Sequence, residues 1–301
     1  MSKQNVNIRT IFDRDTILHL RLPFSFFLLP VFCFGISQAS SIHLVNTCII
    51  FIAMHVFIYP GSNIYNSYMD KDTGSIGGLK NPPPVTLKLY YASIIFDITG
   101  LLLSAFAGWQ NPLLIAGYVI FSKAYSWHGI RLKKYTLLSW LTVMILQGGY
   151  TFMLANMVTE NHYSVDWFTF KNIECMMIAS LIIGGSYPLT QIYQHKEDSL
   201  RGDYTLSYRL GIPGTFIFTL VFFSAGALVA LHYFTTYYNI NHFLVFTVCI
   251  IPVMIYFFYW FIKTLRNRGC ADFTHTMLMN KISSICMIIC FTTLIIINHF
   301  H

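Results

Sequence analysis

Charge is what this chain has least of. Only 10% of its 301 residues are Asp, Glu, Lys or Arg, and just 12 of them are acids. Soluble domains carry about a quarter charged residues, so an ordinary water-facing surface is excluded. The seven cysteines contain no C-x-x-C pair, which removes the usual redox and zinc-ribbon patterns. Cys33, Cys48, Cys175, Cys249, Cys286 and Cys290 fall in or near apolar runs, and Cys270 lies in a polar loop. Cys286 and Cys290 stand at helical spacing and read as packing residues rather than ligands. The eleven histidines are scattered and outline no His-rich metal site. A secretory signal is also missing: there is no short basic start and no small-residue cleavage site. Roughly the first twenty residues mix acids and bases and read as a cytoplasmic amphipathic lead-in, with Arg21 at the membrane border.

What is present is apolar length. Hydrophobic residues make up 55% of the chain and the mean hydropathy is +0.57. A membrane-spanning helix needs roughly 17–25 mainly apolar residues. Nine segments qualify: 22–38, 43–62, 89–108, 111–127, 136–157, 173–194, 212–233, 243–263 and 281–299. The loops between them are too short for a separate domain. The expected fold is therefore an all-α integral membrane protein, with nine transmembrane helices in one polytopic domain over 1–301.

With nine spans, Lys and Arg separate sharply between the two sides. One set of ends holds Lys3, Arg9, Arg14, Arg21, Lys71, Lys80, Lys88, Lys123, Arg131, Lys133, Lys134, Lys196, Arg201, Arg209, Lys263, Arg266, Arg268 and Lys281, and the other holds only Lys171. The positive-inside rule then puts the N-terminus and the even-to-odd loops in the cytoplasm. The net charge of +7 is mainly this topology signal. It does not point to nucleic acid, because no soluble basic face exists to lie on a duplex.

The most informative pattern is a phrase that occurs twice. Tyr59-Pro60-x-x-Asn63-Ile64-Tyr65-Asn66-x-x-x-Asp70-x-x-x-Gly74 returns, 128 positions later, as Tyr187-Pro188-x-x-Gln191-Ile192-Tyr193-Gln194-x-x-x-Asp198-x-x-x-Gly202. If both stretches are helical, two amides and an Asp at i, i+3 and i+7 share a face. Polar triads repeated at the ends of two membrane segments predict one shared site built from two halves, with active-site segments 59–82 and 187–206. Intramembrane polar groups are functional suspects by default.

Both loops alternate acids and bases: Asp70, Lys71, Asp72 and Lys80 in one; Lys196, Glu197, Asp198, Arg201 and Asp203 in the other. Carboxylates of this kind suit a diphosphate bridged by Mg²⁺, which keeps several waters and takes one or two carboxylates per ion. Lys and Arg would neutralise the phosphate charge that remains. Read alone, either loop is better taken as a solvated turn whose bases set topology, and it is the repetition that favours function. Asn63, Asn66, Gln191 and Gln194 fit either a site or interhelical hydrogen-bonding glue. A third loop, Tyr125-Ser126-Trp127-His128-Gly129-Ile130-Arg131-Leu132-Lys133-Lys134, sets bases beside aromatics, either as a positive-inside anchor or as phosphate contacts through Arg131 and Lys133. Asp97, inside the third span, reads as a packing salt bridge or a protonated acid rather than a catalyst. Phe and Tyr are abundant, 27 and 19, so a ring-lined cavity for an isoprenoid tail and its cation is compatible with the composition.

Taken together, the motifs and the order of spans resemble the UbiA superfamily of intramembrane prenyltransferases, over nearly the whole chain. The resemblance implies nine helices around a central cavity, an Asn- and Asp-rich motif after the second helix and a second Asp motif after the sixth. Tyr125…Lys133 and Gly202-x-x-Thr205-Leu206 match as well. It further implies an Mg²⁺ cofactor held by Asp70, Asp72, Asp198 and Glu197, and catalytic roles for Asp70, Asp198, Asn66 and Gln194. Asn63, Gln191, Lys80, Tyr125, Arg131, Lys133, Lys196 and Arg201 would bind substrate. The partners implied are an isoprenyl diphosphate, a small lipophilic acceptor (often an aromatic ring) and membrane lipid, in a bacterial cytoplasmic (inner) membrane.

The chain departs from the family pattern at two places. Asn66-Ser67-x-x-Asp70-x-x-x-Gly74 lacks two of the usual acids, with Asp72 as a displaced replacement, and Gln194-x-x-x-Asp198 puts a neutral amide where an acid is usual. Three activities remain compatible: prenyl transfer to an acceptor, terpene cyclisation of the diphosphate itself, and non-catalytic lipid binding or transport.

Overall fold

The computed structural model describes residues 11–300, with the side chain of Arg201 excluded. Lys3 and Arg9 of the expected lead-in therefore lie outside the described residues, as does any phosphate contact by the Arg201 side chain. In chain order the α-helices are α1 (Arg14–Leu20), α2 (Leu22–Ser25), α3 (Leu29–Ser37), α4 (Leu44–Ile52), α5 (Tyr59–Asp70), α6 (Leu87–Ser104), α7 (Gln110–Ser126), α8 (Thr136–Val143), α9 (Thr151–Glu160), α10 (Phe170–Gln191), α11 (His195–Arg201), α12 (Leu206–Tyr237), α13 (Ile240–Arg266) and α14 (Phe273–Phe300). No β-strand occurs among the described residues; a single bridge between Ile76 and Leu79 closes a tight loop.

Eight helical stretches among the described residues are long and apolar enough to cross a membrane. The fourth expected span is α7, which has 17 residues. At 1.5 Å per residue it reaches about 26 Å, slightly less than the ~30 Å hydrocarbon core. Several spans are jointed. Between α4 and α5 the helix widens into a π-helical stretch, Ala53–Ile58, and between α8 and α9 into another, Met144–Tyr150. Arg21, in the left-handed region at φ 49°, separates α1 from α2. Within α12, Gly211 at φ 67° and ψ 175° makes a kink two residues before Pro213.

The chain falls into two compact units. One contains the described residues up to Phe26 together with Cys48–Leu132. Here α5 packs on α6 and α7, and α1 lies across α5 and α6. Leu20, Ile64, Leu89 and Ala92 form its buried contact. The other unit contains Phe27–Thr47 and the described residues from Lys133 onward. In it α10 packs along α12, α13 along α14, and α3 against α9 and α14. Leu189, Ile192, Phe216, Phe223, Val253, Phe257 and Trp260 form an apolar cluster at its centre. Each unit carries one copy of the repeated phrase.

Candidate functional site

The first copy begins on the π-helical joint. Tyr59 donates its backbone N–H to Met54, five residues back, and Pro60, which has no N–H to give, follows where the wide winding passes into α5. From there α5 is unbroken, so Asn63, Asn66 and Asp70 share one face, as their spacing predicts. Asn66 Nδ2 donates to Ser126 Oγ at 2.8 Å. That bond ties the motif to the last turn of α7, next to half-buried Tyr125. Asp70 is the last residue of α5, and Lys71, left-handed at φ 53°, ends the helix.

The loop that follows is fastened from the N-terminal side. Arg21 is only 8% exposed. Its guanidinium donates through Nη2 to the Asn63 carbonyl at 2.7 Å and through Nη1 to the Gly77 carbonyl at 3.2 Å. The Phe24 ring lies so close to Gly77 that an added Cβ would sit 2.7 Å from its Cζ. His19 Nε2 is 2.9 Å from the Pro83 carbonyl. Half-buried Asp72 lies inside this clamped loop, and Lys80 at its end is exposed.

On another face of α5 is a buried ion pair. Lys123 Nζ is 2.6 Å from Asp97 Oδ2 and lies 4.0 Å above the centre of the Tyr65 ring. Gly61 makes room for it: a Cβ there would come within 2.8 Å of Asp97 Oδ1. Of the two expectations for Asp97, the structure shows the salt bridge.

The second copy is built differently. Pro188 is inside α10, and its missing N–H frees the Gly184 carbonyl four residues back, which accepts the Trp140 indole N–H at 2.8 Å. α10 stops at Gln191. Ile192 and Gln194 then donate to carbonyls only three residues back, Leu189 and Gln191. The expectation of one continuous face through Gln191, Gln194 and Asp198 is thus corrected, because a turn at 192–194 intervenes. Gln191 is buried and donates to the Tyr187 hydroxyl at 3.0 Å, and Gln194 stands just before α11.

Glu197 and Asp198, both half-buried, occupy the first turn of α11, where the helix dipole favours negative charge. Lys196 is exposed. Buried Asp203 donates its N–H to the Asp198 carbonyl at 2.9 Å, closing the turn after α11. In the third loop Arg131 is half-buried at φ 47°, and Lys133 is buried. Burial holds the His195 imidazole below its ordinary pKa.

The acids of the two segments, Asp70, Asp72, Glu197, Asp198 and Asp203, are oxygen donors and are accompanied by amides, with no thiol among them. That chemistry fits a hard cation such as Mg²⁺. Among the described residues, no three His, Cys, Asp or Glu side chains gather to hold an ion by themselves. Each segment contributes two of the candidate metal-binding carboxylates, Asp70 and Asp72 in one and Glu197 and Asp198 in the other, so water and substrate oxygens would have to complete the shell, as Mg²⁺ usually requires. Sequence reading missed Arg21 as a loop clamp, Ser126 as the partner of Asn66, and Lys123 as the partner of Asp97.

No curated protein sequence matches the chain. Solved structures do. A UbiA homolog from Archaeoglobus fulgidus bound to GPP and Mg²⁺ superposes with a TM-score of 0.68 at 16% identity, covering 93% of this chain and 99% of that one. An apo UbiA homolog from Aeropyrum pernix K1 gives 0.67 at 14% identity, covering 92% and 98%. A digeranylgeranylglyceryl phosphate synthase structure gives 0.58 at 16% identity, covering 94% and 97%. At such identities the likeness shows a shared fold. The profile of the UbiA prenyltransferase family matches residues 26–282. Apolar helices able to cross a membrane, this fold and that match together make the chain an integral membrane protein that belongs to the UbiA prenyltransferase family.

Proposed function

We propose that this protein transfers an isoprenyl group, within the membrane, from an isoprenyl diphosphate to a small lipophilic acceptor, with Mg²⁺ as cofactor. The observation that carries the reading is the duplicated carboxylate segment on a UbiA fold. The similar Archaeoglobus fulgidus structures, bound to GPP and to DMAPP with Mg²⁺, support the donor class. Asp70 and Asp72 on one loop and Glu197 and Asp198 on the other would hold the cation, with Asn66 and Gln194 as neutral oxygen donors beside them. Bound Mg²⁺ would offset the negative charge that develops on the departing diphosphate.

The chain's own bases add to that. Lys80, Arg131, Lys133, Lys196 and Arg201 are the candidate phosphate contacts, with Asn63, Gln191 and Tyr125 as further substrate contacts. The 18-to-1 division of Lys and Arg supports a cytoplasmic position for these loops, where soluble donors are available.

The test is to incubate membranes containing the protein with isoprenyl diphosphates of increasing length, with and without Mg²⁺ and candidate aromatic acceptors. Lipid products are then identified by mass spectrometry. Mg²⁺-dependent pyrophosphate release with an acceptor-linked product is the expected result. A cyclic terpene formed without any acceptor would replace transfer by cyclisation. Absence of pyrophosphate release across the whole panel would refute both.

A further inference from the structure

α11 has seven residues and carries two of the four candidate metal-binding carboxylates, Glu197 and Asp198. A helix this short has no stability of its own in water, so something outside it must set its position. Its first residue supplies that link. His195 Nε2 lies 2.7 Å from Ser207 Oγ, Ser207 Oγ lies 3.0 Å from Thr215 Oγ1, and Thr215 Oγ1 lies 2.8 Å from the Gly211 carbonyl. Ser207 and Thr215 are fully buried, and the edge of the imidazole meets the Tyr208 ring with centroids 5.7 Å apart.

Each hydroxyl has one hydrogen to give. The Gly211 carbonyl can only accept, so the order that makes all three bonds runs one way: His195 Nε2–H to Ser207, Ser207 O–H to Thr215, Thr215 O–H to Gly211. The reverse order leaves the Gly211 carbonyl without this donor. The chain therefore selects the Nε2–H tautomer and anchors α11 to the kink of α12.

We propose that His195 is the positioning residue of the second carboxylate segment, acting as an Nε2–H donor that locks α11 onto the Gly211 kink through Ser207 and Thr215. The link to catalysis rests on the proposed prenyl transfer, whereas the lock itself does not. Two readouts on the full-length protein in detergent or nanodiscs separate them: amide hydrogen exchange over residues 195–201, and the Mg²⁺ concentration for half-maximal pyrophosphate release.

H195A and S207A should each speed exchange of that segment by about 2- to 10-fold, the range for one lost hydrogen bond. Both should raise the half-saturating Mg²⁺ concentration similarly and leave acceptor KM unchanged. H195Q places an amide N–H near the Nε2 position and should restore both readouts, whereas H195N, which mimics Nδ1, should not. Unchanged exchange in H195A, or rescue by Asn in preference to Gln, would overturn the lock. If the native protein releases no pyrophosphate, the functional reading fails and exchange alone still decides the lock.

Discussion

The same phrase, Tyr-Pro-x-x-amide-Ile-Tyr-amide-x-x-x-Asp, is folded in two ways in one molecule. In the first copy it rides a single helix, and its Asp is the last helical residue. In the second the helix ends after the first amide, and its Asp lies in the opening turn of a new short helix. The difference traces to neighbours rather than to the motif. Gly61 in the first copy admits the Asp97–Lys123 pair. Its counterpart in the phrase, Leu189, packs into the apolar cluster with Phe216 and Trp260. A repeat in sequence thus fixes which side chains recur, while the surroundings fix how the backbone presents them.

The sharpest way to break this comparison is to remove the element that only one copy has. K123M strands the Asp97 carboxylate in a buried setting and should cost about 3–5 kcal/mol, read by thermal or denaturant unfolding in detergent. The double variant D97N/K123M should recover much of that loss. An unaffected K123M would mean that the pair contributes nothing to holding α5 in place.

Next come the residues that both copies share. D70N and D198N keep side-chain shape but remove charge, and each should lower Mg²⁺-dependent pyrophosphate release by roughly 10²–10³ with the fold intact. Full activity in both would eliminate the metal-diphosphate mechanism. Restoring an acid with Q194D should preserve or raise turnover if Gln194 is only a neutral ligand. A changed product would show instead that Gln194 shapes the acceptor pocket.

Smaller still is a contrast of sign. A carboxylate at a helix C-terminus opposes the dipole, and one at the N-terminus is favoured by it, each by about 0.3–1 kcal/mol. Without Mg²⁺, D70N should therefore stabilise slightly and E197Q should destabilise slightly. Identical shifts in the two variants would dissolve the distinction.

The smallest effect belongs to Asp13, the cap of α1. Its pairing with Lys88 and the Thr16 amide lowers its pKa to about 2. The folded carboxyl is the stronger acid, so its contribution is complete above the ordinary carboxylate pKa near 4. It should fade as pH falls toward 2. D13N should flatten that part of the stability–pH curve.

Much of this arrangement could be read from sequence alone, and the omissions have physical reasons. Apolar run length exposed the spans because a bilayer demands it, although α7 is short enough to be marginal. The duplicated phrase exposed the candidate site because polar residues at helix ends are otherwise few. The turn at 192–194 was hidden because it depends on which carbonyl each N–H chooses: Ile192 takes Leu189 and Gln194 takes Gln191, each three residues back. Lys123 and Arg21 were hidden as partners because both were already accounted for as positive-inside charges. Their real contacts join residues distant in sequence: Asp97 for one, Asn63 and Gly77 for the other.

The π-helical joint before the first motif has one further consequence, and it concerns length rather than chemistry. A helix turns about 100° per residue, and a joint that bonds five residues back holds one residue more than a regular turn. Conservative replacements within Ala53–Ile58 leave that count unchanged. Deleting a single residue there would convert the wide turn to regular winding, which absorbs the loss and leaves Asn63, Asn66 and Asp70 on the same face. A deletion in the regular winding between Tyr59 and Asn63 has no such slack and would swing all three by about a quarter turn. In a library of variants, Ala53–Ile58 should tolerate the loss of one residue that the following turn refuses.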